Sequence, residues 1–183
     1  VATLHPADEH TPQSITRREH VLTEMKLKEL LREHFDAEAQ RDVEWIKRTV
    51  SIDCEYEVIG PYYPDDPVKK AKTADGRAAV GQLWENYFSK FSSYEIDCPF
   101  ENMLAWPQQN VIFAQVRIRA TPAVDFEGFP AGKSFCYQTG ALCWFNDQGE
   151  MTREKVFGSL GQVLMDLRRM RDHLATAEDS VAA

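Results

Sequence analysis

The sequence predicts an α+β domain, with helices gathered on one side of a bent antiparallel sheet. Three observations carry this. Apolar residues recur at helical spacing before Phe91 and again after Gly158. Almost everything between Tyr94 and Gly158 alternates or runs apolar, as strands do. The tetrapeptide Asn146–Gly149 (NDQG) divides two such strands as a hairpin turn.

Taken in order, a first helix is expected from Thr16 to Gln40, with Leu27, Leu30, Leu31 and Phe35 as its stripe. Asp42 can cap a short second helix carrying Val43, Ile46 and Val50. In CEYEVIG (54–60), Cys54, Tyr56 and Val58 share one face and Glu55 and Glu57 the other, a half-exposed strand. The prolines 61, 64 and 67 mark an irregular loop through Gly76. A further helix then carries Val80, Leu83, Trp84, Tyr87, Phe88 and Phe91. Strands are expected at 111–121, 134–145 and 151–157, and a closing helix bears Leu160, Val163, Leu164, Leu167 and Met170. Residues 1–15 read as a flexible arm, 16–175 as one domain, and 176–183 as a flexible tail.

Composition excludes several function classes. The chain has 183 residues, 43% of them hydrophobic and 11% aromatic, enough for one sizeable core. Its formal charge of −8 argues against a nucleic-acid partner, which requires clustered positive charge. No stretch approaches the roughly 18 apolar residues of a membrane span, and the polar start does not resemble a secretory leader. Cys54, Cys98, Cys136 and Cys143 lack metal-clip spacing and read as reduced thiols, which fits a cytoplasmic location. No H-E-x-x-H and no phosphate-cradling glycine loop occurs, so no metal is expected.

The residues that suggest chemistry begin on the first helix. Extending its stripe gives Leu27, Leu30, Leu31, His34, Phe35 and Glu38. His34 and Glu38 then share the buried face four residues apart, where their side chains can meet. A buried carboxylate needs a partner, and an imidazole oriented by one is a general base. A histidine satisfied within the core, or a last turn rolled out to solvent, is the plainer alternative. Tyr56 would face inward and could donate to a substrate oxygen. Arg117 shares a strand face with Gln115 and Arg119; if that face is concave, Arg117 would stabilise an enolate or carboxylate. Lys155 shares a face with Met151, Arg153 and Phe157, and beside an apolar hollow it could serve as a base or oxyanion partner. Trp84, Tyr87, Trp106, Phe113 and Tyr137 offer rings suited to an aromatic ligand, or simply to a core.

Several stretches, in order, resemble one superfamily. HFDAEAQRDVEWI is similar to its first helix, helix-breaking "RD" step and second helix, and YEVIGP to its first inner strand. DGRAAVGQLWENYF resembles the opening of its third helix, FEGFPAGKSF its "G-x-P-x-G-K" hairpin, and WFNDQGEMTREKVFGSLGQVL its closing hairpin and last strand. This is the SnoaL-like, nuclear-transport-factor-like superfamily, which includes polyketide cyclases, ketosteroid isomerase, limonene-epoxide hydrolase and scytalone dehydratase. The resemblance, over about residues 16–165, implies a cone-shaped barrel wrapped around helices with a central pocket.

The resemblance also bears on residues. His34 aligns with the isomerase tyrosine that polarises the substrate carbonyl, and Trp84 with another tyrosine of that network. Tyr56 matches the tyrosine of the hydrolase "Y-x-N" strand, whose asparagine is Val58 here. The hydrolase "R-x-D" reads R-x-R at Arg117, and the isomerase's two acids read Val58 and Ala141. Several relatives carry an acid near Lys155, where the hairpin allows a one-residue slip. What is implied is a cofactor-independent lyase or isomerase performing aldol or retro-aldol cleavage, dehydration or cyclisation on a hydrophobic, aromatic molecule. Lignin-dimer lyases that release formaldehyde share the fold. An epoxide-type hydrolase and a non-catalytic binding or dimerisation module are the alternatives, and a homodimer is expected.

Overall fold

The computed structural model describes residues 21–59, 72–125 and 130–157. The arm 1–15, the start of the first helix at Thr16, the loop around prolines 61–67, the closing helix and the tail lie outside the described residues. The described elements run α1 (Glu24–Ala39), α2 (Val43–Thr49), β1 (Val50–Ile59), β2 (Lys72–Asp75), α3 (Arg77–Phe88), β3 (Phe91–Asp97), β4 (Met103–Trp106), β5 (Val111–Pro122), β6 (Phe135–Phe145) and β7 (Met151–Phe157). Among these residues no helix is long and apolar enough to cross a membrane.

Helix α1 starts where Thr23 caps it, its hydroxyl accepting from the Lys26 amide at 3.1 Å. The helix ends because Arg41 takes a left-handed conformation, φ 58°. The Arg41 guanidinium then donates to the Phe88 and Ser92 carbonyls, tying this corner to the end of α3. Asp42 caps α2 by accepting from the Trp45 amide at 2.9 Å. Helix α3 opens at Gly76, whose φ of 90° would strain any side chain. Arg77 fixes that opening, bonding the Val50 carbonyl and the Glu150 carboxylate, each at 2.9 Å.

The strands form one curved, unclosed sheet in the order β2-β1-β7-β6-β5-β3, and β4 shares the edge of β5 with β3. The sheet is mixed rather than wholly antiparallel: β1 and β7 run parallel, while β1–β2, β3–β5, β4–β5, β5–β6 and β6–β7 are antiparallel. Strand β2 falls in the stretch expected to be loop. Phe91, expected on the third helix, instead opens β3.

The core lies between the helices and one sheet face. From α1 it takes Leu27, Leu31 and Phe35; from β5, Ile112, Ala114, Val116 and Ile118; from β6, Tyr137, Ala141 and Cys143. Burying a large apolar side chain contributes about 1.5–3 kcal/mol, so this face anchors the helices to the sheet. The opposite face is half-exposed and mixed, with apolar Phe113, Leu142 and Trp144 beside charged residues. There Lys155 meets Glu57 at 3.0 Å and Arg153 meets Glu55 at 3.3 Å.

Candidate active site

The α1 stripe places His34 and Glu38 inside: His34 is wholly buried and Glu38 is 4% exposed. Facing them across the core is Glu154 of β7, 2% exposed. His34 Nε2 lies 3.1 Å from Glu38 Oε1 and 3.5 Å from Glu154 Oε2. Neither contact makes a hydrogen bond of ordinary geometry, so all three atoms are buried without a satisfied partner.

The other imidazole nitrogen fixes the tautomer. Thr49 has one hydroxyl proton and donates it to the Ile46 carbonyl at 2.7 Å. Toward His34 Nδ1, 2.6 Å away, the same oxygen can then only accept, so Nδ1 carries a proton. A neutral ring would turn the bare lone pair of Nε2 toward two carboxylate groups. Three acceptors cannot face one another in a buried volume without a cation, so at least one further proton sits among them.

The electrostatics agree. Burial alone would lower the imidazole pKa, but the Glu154 and Glu38 carboxylates outweigh it and raise His34 to about 10. Burial raises Glu38 to about 7, assisted by the charge of Glu154 and opposed by His34. The trio therefore holds a proton through neutral pH, between the imidazole and the two acidic side chains.

Several phenols share this interior, and Tyr56 is the cross-strand neighbour of Glu154. Tyr56 on β1 is buried, and both burial and the charges of Glu154 and Glu38 push its pKa well up, so it acts only as a neutral donor. Tyr87 and Tyr137 bring their hydroxyls to 3.0 Å. Tyr94 of β3 is buried with its ring 5.7 Å from that of Tyr87. Trp84 packs edge-on to Tyr56, 6.1 Å between centroids. Its Nε1 is a buried donor with no hydrogen-bond partner among the described residues.

Of the residues singled out from sequence, the structure brings His34, Glu38, Tyr56, Trp84, Tyr87 and Tyr137 to the interior. It does not bring the other four there. Arg117 is exposed on the outer face of β5, because Ala114, Val116 and Ile118 claim the inner one. Lys155 lies on the outer face of β7, paired with Glu57. Trp106 is 46% exposed at the end of β4. Phe113 lies half-buried on the outer face, its ring resting where a Cβ on Gly140 would stand 2.8 Å away.

Sequence reasoning missed Glu154, Thr49 and Tyr94. The β6–β7 register slips between Trp144 and Phe145, so Thr152 is an extra residue and the in–out alternation reverses after it. Met151 and Glu154, three apart, both face inward. The same slip at Ser92 turns Phe91 and Tyr94 inward together on β3. An acid one residue from the lysine already suspected was the available signal for Glu154.

Comparison with solved structures places this architecture. A candidate polyketide cyclase from Xanthomonas campestris pv. campestris superposes with a TM-score of 0.62 at 15% identity, covering 78% of this chain and 96% of that one. This chain has the SnoaL-like, NTF2-like fold. The epoxide hydrolase/cyclase-like enzyme SalBIII, of pyran ring formation in salinomycin, matches with a TM-score of 0.59 at 19% identity, covering 75% of this chain and 93% of its own. A candidate SnoaL-like polyketide cyclase from Jannaschia sp. CCS1 gives 0.60 at 16% identity, covering 76% and 90%. No family model matches the sequence, and no curated protein matches it. At these identities the likeness establishes the fold, and the chemistry has to come from the site.

Proposed function

We propose that this protein is an acid–base enzyme that needs no cofactor, a lyase or isomerase acting on a hydrophobic, aromatic small molecule. One observation carries the reading: His34 Nε2 sits between two buried carboxylates while Thr49 holds Nδ1. Such a centre can take a proton from one position of a substrate and return one to another, with no net uptake. Lyase and isomerase steps have that balance.

For a retro-aldol cleavage, a carboxylate of the trio accepts the proton of a β-hydroxyl. The carbon–carbon bond breaks, an aldehyde leaves, and the electron pair passes to an enolate. Tyr56 donates to that developing charge, and the trio returns the proton to carbon. Dehydration and cyclisation use the same two transfers in other orders. Tyr56, Trp84, Tyr87 and Tyr137 supply aromatic contact, which suits ring-bearing substrates such as lignin-derived dimers. The cyclase and hydrolase/cyclase-like names of the structural neighbours support acid–base chemistry on this scaffold.

A panel of aryl β-hydroxy ketones, including arylglycerol ethers oxidised to the ketone at the benzylic carbon, in deuterium oxide tests the reading. Aldehyde release with one deuterium placed on the new C–H bond is the expected result. Turnover undiminished in both His34→Ala and Glu154→Gln would contradict it. Two carboxylates flanking a cation could equally activate water, and solvent oxygen appearing in the product would identify an epoxide-type hydrolase instead.

A further inference from the structure

We propose that the cage of His34, Glu38 and Glu154 is also a site for a divalent transition-metal cation, which enters in place of the shared proton. The geometry points to this independently of any reaction. Three atoms of good donor type, one imidazole nitrogen and two carboxylate oxygens, lie within 4.8 Å of one another on fully buried side chains. The two edges at His34 Nε2, 3.1 and 3.5 Å, bracket the roughly 3.3–3.4 Å that separates ligands of a tetrahedral ion with bonds of about 2.0–2.1 Å. Closing on such an ion also requires the Glu38 and Glu154 oxygens, within 4.8 Å of each other, to settle at that separation.

The second observation is the imidazole itself. A metal-binding histidine usually donates its remote N–H to a fixed acceptor, which sets the tautomer and aims the other nitrogen. His34 does so: Nδ1 donates to Thr49, which is itself anchored on the Ile46 carbonyl. Nε2 is aimed at Glu38 and Glu154 with no satisfied partner, and neither are their facing oxygens satisfied. One nitrogen and two oxygens favour Zn²⁺ or Co²⁺ over Mg²⁺, which prefers oxygen ligands and retains its water. Three protein ligands leave a fourth position for water or substrate oxygen. A bound ion would displace the proton that the proposed chemistry uses, so Zn²⁺ would act as an inhibitor.

The test uses the full chain, stripped with EDTA and titrated with Co²⁺, Zn²⁺ and Mg²⁺. One equivalent of Co²⁺ should give the visible absorption of a tetrahedral N/O site, be displaced by Zn²⁺, and be unaffected by Mg²⁺. Glu154→Gln should weaken binding more than 10-fold, and Thr49→Val, which frees the ring, by about 10–100-fold. Circular dichroism checks that both variants fold. No saturable Co²⁺ signal at millimolar metal, or identical binding in wild type and both variants, would overturn the proposal. Activity of the stripped protein separates the two readings: stoichiometric binding with no turnover on any substrate sinks the enzyme and leaves the metal site standing. Turnover with no metal binding does the reverse.

Discussion

Glu154 and Lys155 are neighbours on β7, yet they live in different physical worlds. Lys155 faces out and pairs with Glu57 at 3.0 Å, both groups 25–30% exposed. Such a pair is screened by water and salt and contributes about 0–1 kcal/mol. Glu154 faces in, 2% exposed, beside His34 and opposite Glu38. Removing two carboxylates and an imidazole from water is expensive, and apolar residues of the same volume would serve stability as well or better. The trio is therefore a cost to stability that the proposed acid–base role would account for, whereas the outer pairs are ordinary solvated surface.

That contrast can be broken or sharpened by substitution. The largest effect should come from inside: Glu154→Gln and His34→Ala are each expected to lower turnover by about 10²–10⁴-fold, measured on the substrate that the panel identifies. Glu154→Gln should do so with a folded protein, as read by its thermal transition.

The pH dependence of stability comes next. Glu38 and His34 both hold protons more tightly when folded, Glu38 rising to about 7 and His34 to about 10. Raised pKa values mean that the native state keeps protons which the unfolded chain releases. Their contribution is complete below the ordinary values near 4.5 and 6.5 and is lost as pH climbs toward 10. Denaturant midpoints should therefore decline between pH 5 and 10, and Glu38→Gln should flatten the lower part of that slope. A midpoint that rises across this range would contradict the assignment.

Tyr87→Phe is expected to cost about 0.5–1.5 kcal/mol, the loss of the 3.0 Å hydrogen bond to Tyr137, which keeps Tyr94 as a second partner. The smallest effect belongs outside. Lys155→Met should change stability by less than about 1 kcal/mol, with the difference shrinking in high salt, and should leave turnover unchanged. A large loss of turnover in Lys155→Met would erase the distinction between the two faces.

What could be read from the sequence divides along the same physical line. On α1 the helical period is unbroken from Leu27 to Glu38, so counting along the stripe put His34 and Glu38 on the buried face. The alternation of CEYEV likewise turned Cys54 and Tyr56 inward. Counting failed where a strand carries an extra residue. Thr152 and Ser92 each reverse the parity of the strand beyond them, which hid Glu154 and Tyr94 and put Lys155 forward in place of its neighbour. For Arg117 the strand was read correctly and its face left open; Ala114, Val116 and Ile118 take the inner side, which puts Arg117 outside. The parallel pairing of β1 with β7 joins residues about a hundred positions apart and leaves no local trace. Thr49 closed a helix and carried no signal until His34 was seen against it.

The central claim is that a proton is held in the core between His34 and two carboxylates. Its most direct test is an NMR titration of the His34 ring nitrogens from pH 5 to 10. The structure predicts a ring protonated at Nδ1 throughout, with Nε2 keeping its proton well above neutrality in wild type and releasing it earlier in Glu154→Gln. A ring that titrates near 6.5 with mixed tautomers, unmoved by Glu154→Gln, would contradict it.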